Sequence, residues 1–328
     1  MVNVDIISGF LGAGKTTFIK ELISKVYKDE KIVLIENEFG EIGIDSRFMK
    51  DAEIEVTEMN SGCICCTLVG DFARALKLVS VEYDPDRIII EPSGVGKLSD
   101  VAKAVISMKD EADVEVSHLV TVVDGNKAEM YIKNFGEFFN DQIEHAGTIL
   151  VSRSQNIDEK KLARCIGILR QKNRDAAIVT TPWDQLDGDS IKAALDNEHA
   201  VSNVLDELRE QNYEGHDHHN HEISHHHHHE HHHHADEVFS SWGIETARKF
   251  ARSELEDILG LMAATEDFGT VLRAKGIVQC DDDSWIEFDM VPKETEIRES
   301  KPDYIGRICV IGTDIDEDAL GKIFDPET

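Results

Sequence analysis

Three stretches of this chain carry residue types at spacings that can do chemistry. GFLGAGKT (9–16) fits the pattern G-x-x-x-x-G-K-[ST] at every fixed position. In that pattern the backbone N–H groups of a glycine-rich turn wrap a β-phosphate, helped by the positive end of a helix dipole. Gly9, Gly12, Ala13 and Gly14 form the cradle, and Lys15 reaches the β- and γ-phosphates. Thr16 and Thr17 complete the phosphate and Mg²⁺ contacts. GCICC (62–66) sets Cys63, Cys65 and Cys66 within four positions, half of the chain's six cysteines. Thiolates so close together suit Zn²⁺ or Cu⁺. GHDHHNHEISHHHHHEHHHH (215–234) holds thirteen of the sixteen histidines, with His225, His226, His227, His228 and His229 as its longest run. Neutral imidazoles bind Zn²⁺, Ni²⁺ and Co²⁺, though a flexible tract of them cannot choose among the three.

The elements that must hold these groups follow from the hydrophobic pattern. VNVDIIS (2–8) reads as a strand and TTFIKELISKVY (16–27) as a helix, so the glycine-rich turn lies between the two, as its chemistry requires. KIVLIENE (31–38), DRIIIEPS (86–93), HLVTVVDG (118–125) and GTILVSRS (147–154) are further apolar runs, several nearly continuous, as in strands covered on both faces. Strands alternating with helices predict an α/β fold with a mostly parallel, doubly wound sheet. Within it, IIIEPSG (88–94) places Glu91 directly after an apolar run, where an acid can hold a metal's water shell. Gly94 stands where a γ-phosphate sensor would sit.

Residues 186–237 are polar, acidic and then histidine-rich, and predict a linker, with a helix over 201–211. A helix (246–263), strands at 271–280, 284–292 and 307–312, and a last helix (316–324) predict a smaller α+β domain over 238–328, the first domain covering 1–185. Cys165, Cys280 and Cys309 lie in apolar patterns and are expected in the cores.

With 65 acidic against 34 basic residues the formal net charge is −31, which repels a phosphate backbone and argues against a nucleic-acid partner. Cations are drawn by the same field. No stretch approaches the roughly 18 apolar residues that span a bilayer, and the first residues lack the pattern of a secretory leader. The expected setting is the cytoplasm, where thiols stay reduced and closely spaced cysteines bind metal or do chemistry.

GFLGAGKTTF (9–18), ENEFGEIGID (36–45), NSGCICCTL (60–68), EPSG (91–94) and TVVDG (121–125) occur in the order found in the CobW-like GTPases. That group belongs with the nickel-insertion GTPases of urease and hydrogenase. RAKG (273–276), WIEF (285–288) and VIGTDID (310–316) resemble the CobW C-terminal domain. The resemblance implies a P-loop GTPase in which the C-x-C-C segment is a metal site coupled to the nucleotide. In extended chain Cys63 and Cys65 project to one side, and three thiolates leave one position of a zinc tetrahedron for Glu38 or Glu41, a water or a partner's group. ENEFGEIGID takes the place of a switch loop, so nucleotide state would bias metal geometry, and the coupling would be reciprocal.

The expected activity is slow GTP hydrolysis serving a metallochaperone, with GTP, Mg²⁺ and Zn²⁺ (or Co²⁺ or Ni²⁺) bound. The partner would be a client metalloprotein, and a nucleotide-dependent homodimer is a further expectation. An activator of cobalt or corrinoid enzymes, and a non-catalytic histidine-rich metal buffer, remain open as alternatives. One departure is plain. Where guanine readers carry N-K-x-D, this chain has Ser152, Arg153, Ser154 and Gln155. Arg153 is expected to stack on the purine, and Gln155 offers one uncharged carbonyl oxygen where a carboxylate would accept two hydrogen bonds.

Overall fold

The structure, a computed structural model, describes residues 1–37, 55–59, 69–214 and 238–325. Glu38, Glu41, Cys63, Cys65, Cys66 and His225 to His229 lie outside them. The chain divides into two compact units, each with its own sheet.

The first unit runs β1 (Val2–Gly9), α1 (Lys15–Lys25), β2 (Ile32–Asn37), β3 (Glu55–Met59), α2 (Val69–Glu82), β4 (Arg87–Glu91), α3 (Leu98–Ser107), α4 (Lys109–Ala112) and β5 (Val114–Asp124). It continues with α5 (Ala128–Glu144), β6 (Thr148–Ser152), α6 (Glu159–Lys172), β7 (Ala177–Val179), α7 (Gly188–Leu195) and α8 (Glu198–Glu214). The sheet order is β3-β2-β4-β1-β5-β6-β7, and β2, β4, β1, β5, β6 and β7 pair in parallel. This is the α/β, doubly wound architecture that the alternating pattern predicts. Val4, Ile6 and Ile7 of β1 and Ile88, Ile89 and Ile90 of β4 are fully buried, because central parallel strands are covered on both faces.

One polar residue breaks the apolar run of β1. Asp5 is fully buried, at a register shift against β5, and it is satisfied from three sides. Arg87 donates to it at 2.8 Å, the Tyr27 hydroxyl donates at 2.8 Å, and His118 Nδ1 lies 2.7 Å away. The Tyr27 phenol is pushed far up by burial and by the Asp5 charge.

The linker expected over 186–237 does not begin at 186. Residues 188–195 and 198–214 form α7 and α8, whose apolar faces bury Ile191, Leu195, Val201, Leu205 and Leu208 against the first unit. Asp187 starts α7 by accepting the Ser190 N–H, a capping bond that fixes the boundary. The acidic composition that suggested a linker belongs to the outer faces of these amphipathic helices.

The second unit runs β8 (Ser240–Thr246), β9 (Lys249–Phe250), α9 (Arg252–Ala264), β10 (Thr270–Cys280), β11 (Trp285–Val291), β12 (Glu294–Ser300), β13 (Gly306–Thr313) and α10 (Glu317–Phe324). The main sheet is antiparallel in the order β12-β11-β10-β13-β8, with β9 beside β10. Leu255, Leu259, Leu320 and Phe324 of the two helices close over Val278, Phe288, Ile308 and Val310. The helix expected from 246 starts at Arg252, after strands β8 and β9.

Candidate functional site

β1 lies at the middle of the first sheet, and the chain leaves it toward one edge while β5 leads toward the other. Ligands of open α/β sheets bind beyond the carboxyl ends of strands at such a reversal. Gly9, the last residue of β1, has φ +145°, and a Cβ there would stand 2.3 Å from the carbonyl oxygen of Val122. Only glycine lets the loop leave the sheet at this angle. Phe10 and Leu11, the loop's apolar residues, are buried. Phe10 sits among Tyr131, Phe135 and Phe139 of α5, with ring centroids 4.4, 5.5 and 6.0 Å away. α5 kinks at Phe135, just before Gly136, within this cluster. The loop is therefore anchored by its own side chains.

From Lys15 the chain turns into α1, with Gly14 at the cap in the left-handed conformation. Lys15 is buried, donates to the Gly9 carbonyl at 3.0 Å, and lies 4.0 Å from Glu91 Oε1. The Thr16 hydroxyl donates to Glu91, 3.1 Å from Oε1 and 3.2 Å from Oε2. Gly94 presses on the loop: a Cβ there would meet the Leu11 backbone nitrogen at 2.9 Å. Gln142 of α5 holds this second loop by donating to the carbonyls of Gly94 (3.2 Å) and Gly96 (2.8 Å).

A cavity of about 330 Å³ opens beside the loop, lined by Ala13, Gly14, Thr17, Glu21, Ser152 to Gln155, Pro182 and Trp183 among others. Trp183 lies against Phe18, 5.7 Å between ring centroids, and Lys25 donates to the carbonyls of Trp183 and Leu186. The residues expected to hold a nucleotide thus fall into one neighbourhood. Gly9, Gly12, Lys15, Thr16, Glu91 and Gly94 gather at the loop, while Ala13, Gly14, Thr17, Arg153 and Gln155 line the cavity. The Arg153 guanidinium donates through Nη1 to the Gly12 carbonyl and to Asp124, 2.9 Å to each.

Four residues of this neighbourhood escape a reading of the sequence. Glu36 is buried at the carboxyl end of β2, in register with Glu91 and so facing the same side of the sheet. Asp124 is buried at the end of β5, Gln142 is buried in α5, and Trp183 edges the cavity. The signal that picks out Glu91, an acid closing an apolar run, also marks Glu36 in IVLIE and Asp124 in LVTVVD. Gln142 and Trp183 carry no such signal.

Among the described residues, no group of three or more His, Cys, Asp or Glu is placed to hold a metal ion, and no helix is long and apolar enough to cross a membrane. Cys165, Cys280 and Cys309 are buried free thiols. Burial, with the charges of Asp124 and Glu129, pushes the Cys165 thiol up to about 11, which keeps it protonated and unreactive.

A glycine-rich turn between a central parallel strand and a helix, with a buried lysine and a threonine paired to a distant strand-end acid, defines a P-loop nucleotide-binding domain. The chain belongs to the CobW/HypB/UreG family: that family's nucleotide-binding domain matches residues 3–180, and the cobalamin synthesis protein cobW C-terminal domain matches residues 239–326. The zinc chaperone CobW of Sinorhizobium sp is 33% identical over 189 residues, 49% of this chain and 53% of that protein. The zinc chaperone YeiR of Escherichia coli is 27% identical over 188 residues, 57% of each chain. The zinc-regulated GTPase metalloprotein activator 1 of Schizosaccharomyces pombe is 26% identical over 323 residues, 90% of this chain and 76% of that one. The match thus spans little more than half the length of the first two relatives.

Proposed function

We propose that this chain is a GTP-hydrolysing metallochaperone that binds a transition metal, zinc before cobalt or nickel, and passes it to a client metalloprotein. The observation that carries the reading is the convergence of Lys15, Thr16 and Glu91 at a loop whose Gly9, Gly12 and Gly14 all take positive φ. Relatives named zinc chaperones and a GTPase metalloprotein activator support the choice of cargo.

The site's donors fit Mg²⁺, a hard cation that takes oxygen ligands: a hydroxyl and a carboxylate already stand together there. Thr16 would hold the ion and Glu91 its water shell, and the ion would supply neutralisation of charge on the phosphate oxygens. Lys15 contributes its ammonium to the same charge, and the first N–H groups of α1 add the helix dipole. Cys63, Cys65 and Cys66 would hold the cargo, with a carboxylate from Glu38, Glu41 or the buried Glu36 as fourth donor. The tract at 225–229 would raise the local metal concentration. Ser154 and Gln155 present no carboxylate to a base, so preference for GTP over ATP would be weak. A homodimer formed with nucleotide belongs to the same proposal.

Turnover of GTP and ATP, with and without Zn²⁺, tests this in wild type, Lys15→Ala and Cys65→Ala. Zinc-dependent hydrolysis is expected, abolished by the first substitution and made zinc-independent by the second. Turnover indifferent to zinc and to Cys65 would remove the coupling. Absence of turnover under every condition would remove the enzyme.

A further inference from the structure

Asp124 and Arg153 share one hydrogen-bond path to the phosphate loop. Asp124 ends β5 in register with Ser152 of β6, which brings its side chain beside the loop that follows β6. Its two oxygens have different work. Oδ1 accepts the Asn126 N–H at 2.8 Å. Oδ2 accepts from Arg153 Nη1 at 2.9 Å, and Lys127 Nζ lies 3.8 Å from it. The carboxylate is 2% exposed, so its attraction for the guanidinium is little screened by water.

Arg153 Nη1 also donates to the Gly12 carbonyl at 2.9 Å. The same peptide unit is held at its other end, since the Ala13 N–H donates to the Phe10 carbonyl at 3.1 Å. Both ends of the Gly12–Ala13 peptide are therefore fixed, and its carbonyl is kept on a cation rather than toward an anion. Arg153 takes φ +56°, a left-handed backbone that few residues other than glycine adopt. Such a conformation persists where neighbours over-determine it, and here the neighbours are Asp124 and Gly12.

We propose that Asp124 is a positioning residue for nucleotide binding: it holds the Arg153 guanidinium on the Gly12 carbonyl and so fixes the shape of the phosphate loop. The assignment rests on the nucleotide reading above and adds which groups set the loop. Because the path ends on loop backbone, its effect falls on phosphate binding and is blind to the base.

The test is affinity for GDP and for ADP with Mg²⁺, by calorimetry, in wild type, Asp124→Asn, Arg153→Met and the double variant. Asn can still accept from the Asn126 N–H, but its amide would face the Arg153 donor with a donor of its own. Each single substitution is expected to weaken GDP and ADP about tenfold, and equally, with the double no weaker than the worse single. Arg153→Met leaves Asp124 beside Lys127 and carries the test alone should Asp124→Asn not fold. Unchanged affinities with a lowered melting temperature of the nucleotide-free protein would reduce the pair to packing and overturn the assignment. A changed ratio of GDP to ADP affinity would overturn it in favour of base reading, and additive losses would show that no path is shared. A wild-type chain that binds neither nucleotide would overturn both this assignment and the function on which it rests.

Discussion

Thr16 Oγ1 lies 3.1 Å from Glu91 Oε1, though 75 residues separate them in sequence. The pairing exists because β1 and β4 are neighbours in the sheet and both end at the same face. Glu91→Gln keeps the size of the side chain and removes its charge. Hydrolysis is expected to fall about 10–100-fold, as for loss of an outer group around a metal. Steady-state turnover at saturating Mg²⁺ and again at limiting Mg²⁺ checks this, and the deficit should widen as Mg²⁺ is withdrawn.

Gly9→Ala forces a Cβ to within 2.3 Å of the Val122 carbonyl oxygen at a φ of +145°. The expected cost is about 1–3 kcal/mol of stability. Urea unfolding measures it, and nucleotide affinity should fall in the fraction that stays folded. A variant as stable as wild type would mean that β1 leaves the sheet by another route.

Arg87, at the start of β4 and so at the far end of that strand from the phosphate loop, pairs with the fully buried Asp5 in the middle of β1. Arg87→Met leaves that carboxylate without its cation, which costs about 3–5 kcal/mol when a buried pair is broken. Chemical denaturation should register the loss. Nucleotide affinity of the folded variant should stay near wild type.

His145 and Asp141 make a pH-dependent contact on α5. Burial pushes the imidazole down, but the hydrogen bond and charge of Asp141 outweigh it and raise His145 above 6.5. Burial pushes Asp141 up, but His145 and the hydrogen bonds from Ser99 bring it below 3.8. The raised histidine contributes stability that is complete below pH 6.5 and is lost as pH rises through its folded value. The lowered aspartate contributes stability that is complete above pH 3.8 and is lost on acidification through its folded value. The stability gap between wild type and His145→Gln should be widest between those limits and narrow toward alkaline pH. Thermal melts across pH 4 to 9 read the trend, and a gap that grows with pH would contradict it.

The phosphate loop, Glu91 and the two-unit plan were legible because each rests on a local pattern: a glycine spacing, an acid after an apolar run, a change of period. What stayed hidden depends on contacts between distant segments. Glu36 and Asp124 obey the rule that exposes Glu91, yet Glu36 is one of two acids in the sequence ENE (36–38), which the pattern alone does not separate, and Asp124 shows its use only once Arg153 arrives after β6. β12 reads ETEIRES, an edge strand whose charges mask any alternation. The stretch read as linker holds the expected helix at 201–211 within α8, whereas α7 is eight residues long with only Ile191 and Leu195 buried, too short a period to stand out from the polar sequence around it.

Lys25, at the end of α1, grips the carbonyls of Trp183 and Leu186, while Asn197 donates to the carbonyls of Gly147 and Asp175, and Gly147 leaves no room for a Cβ beneath Val201. An expression fragment cropped at residue 180 would retain every phosphate-binding element and still be a poor reagent. It would bare the apolar flank that α7 and α8 cover and invite aggregation. A piece of this half of the chain that keeps that flank covered has to include α8, which ends at Glu214.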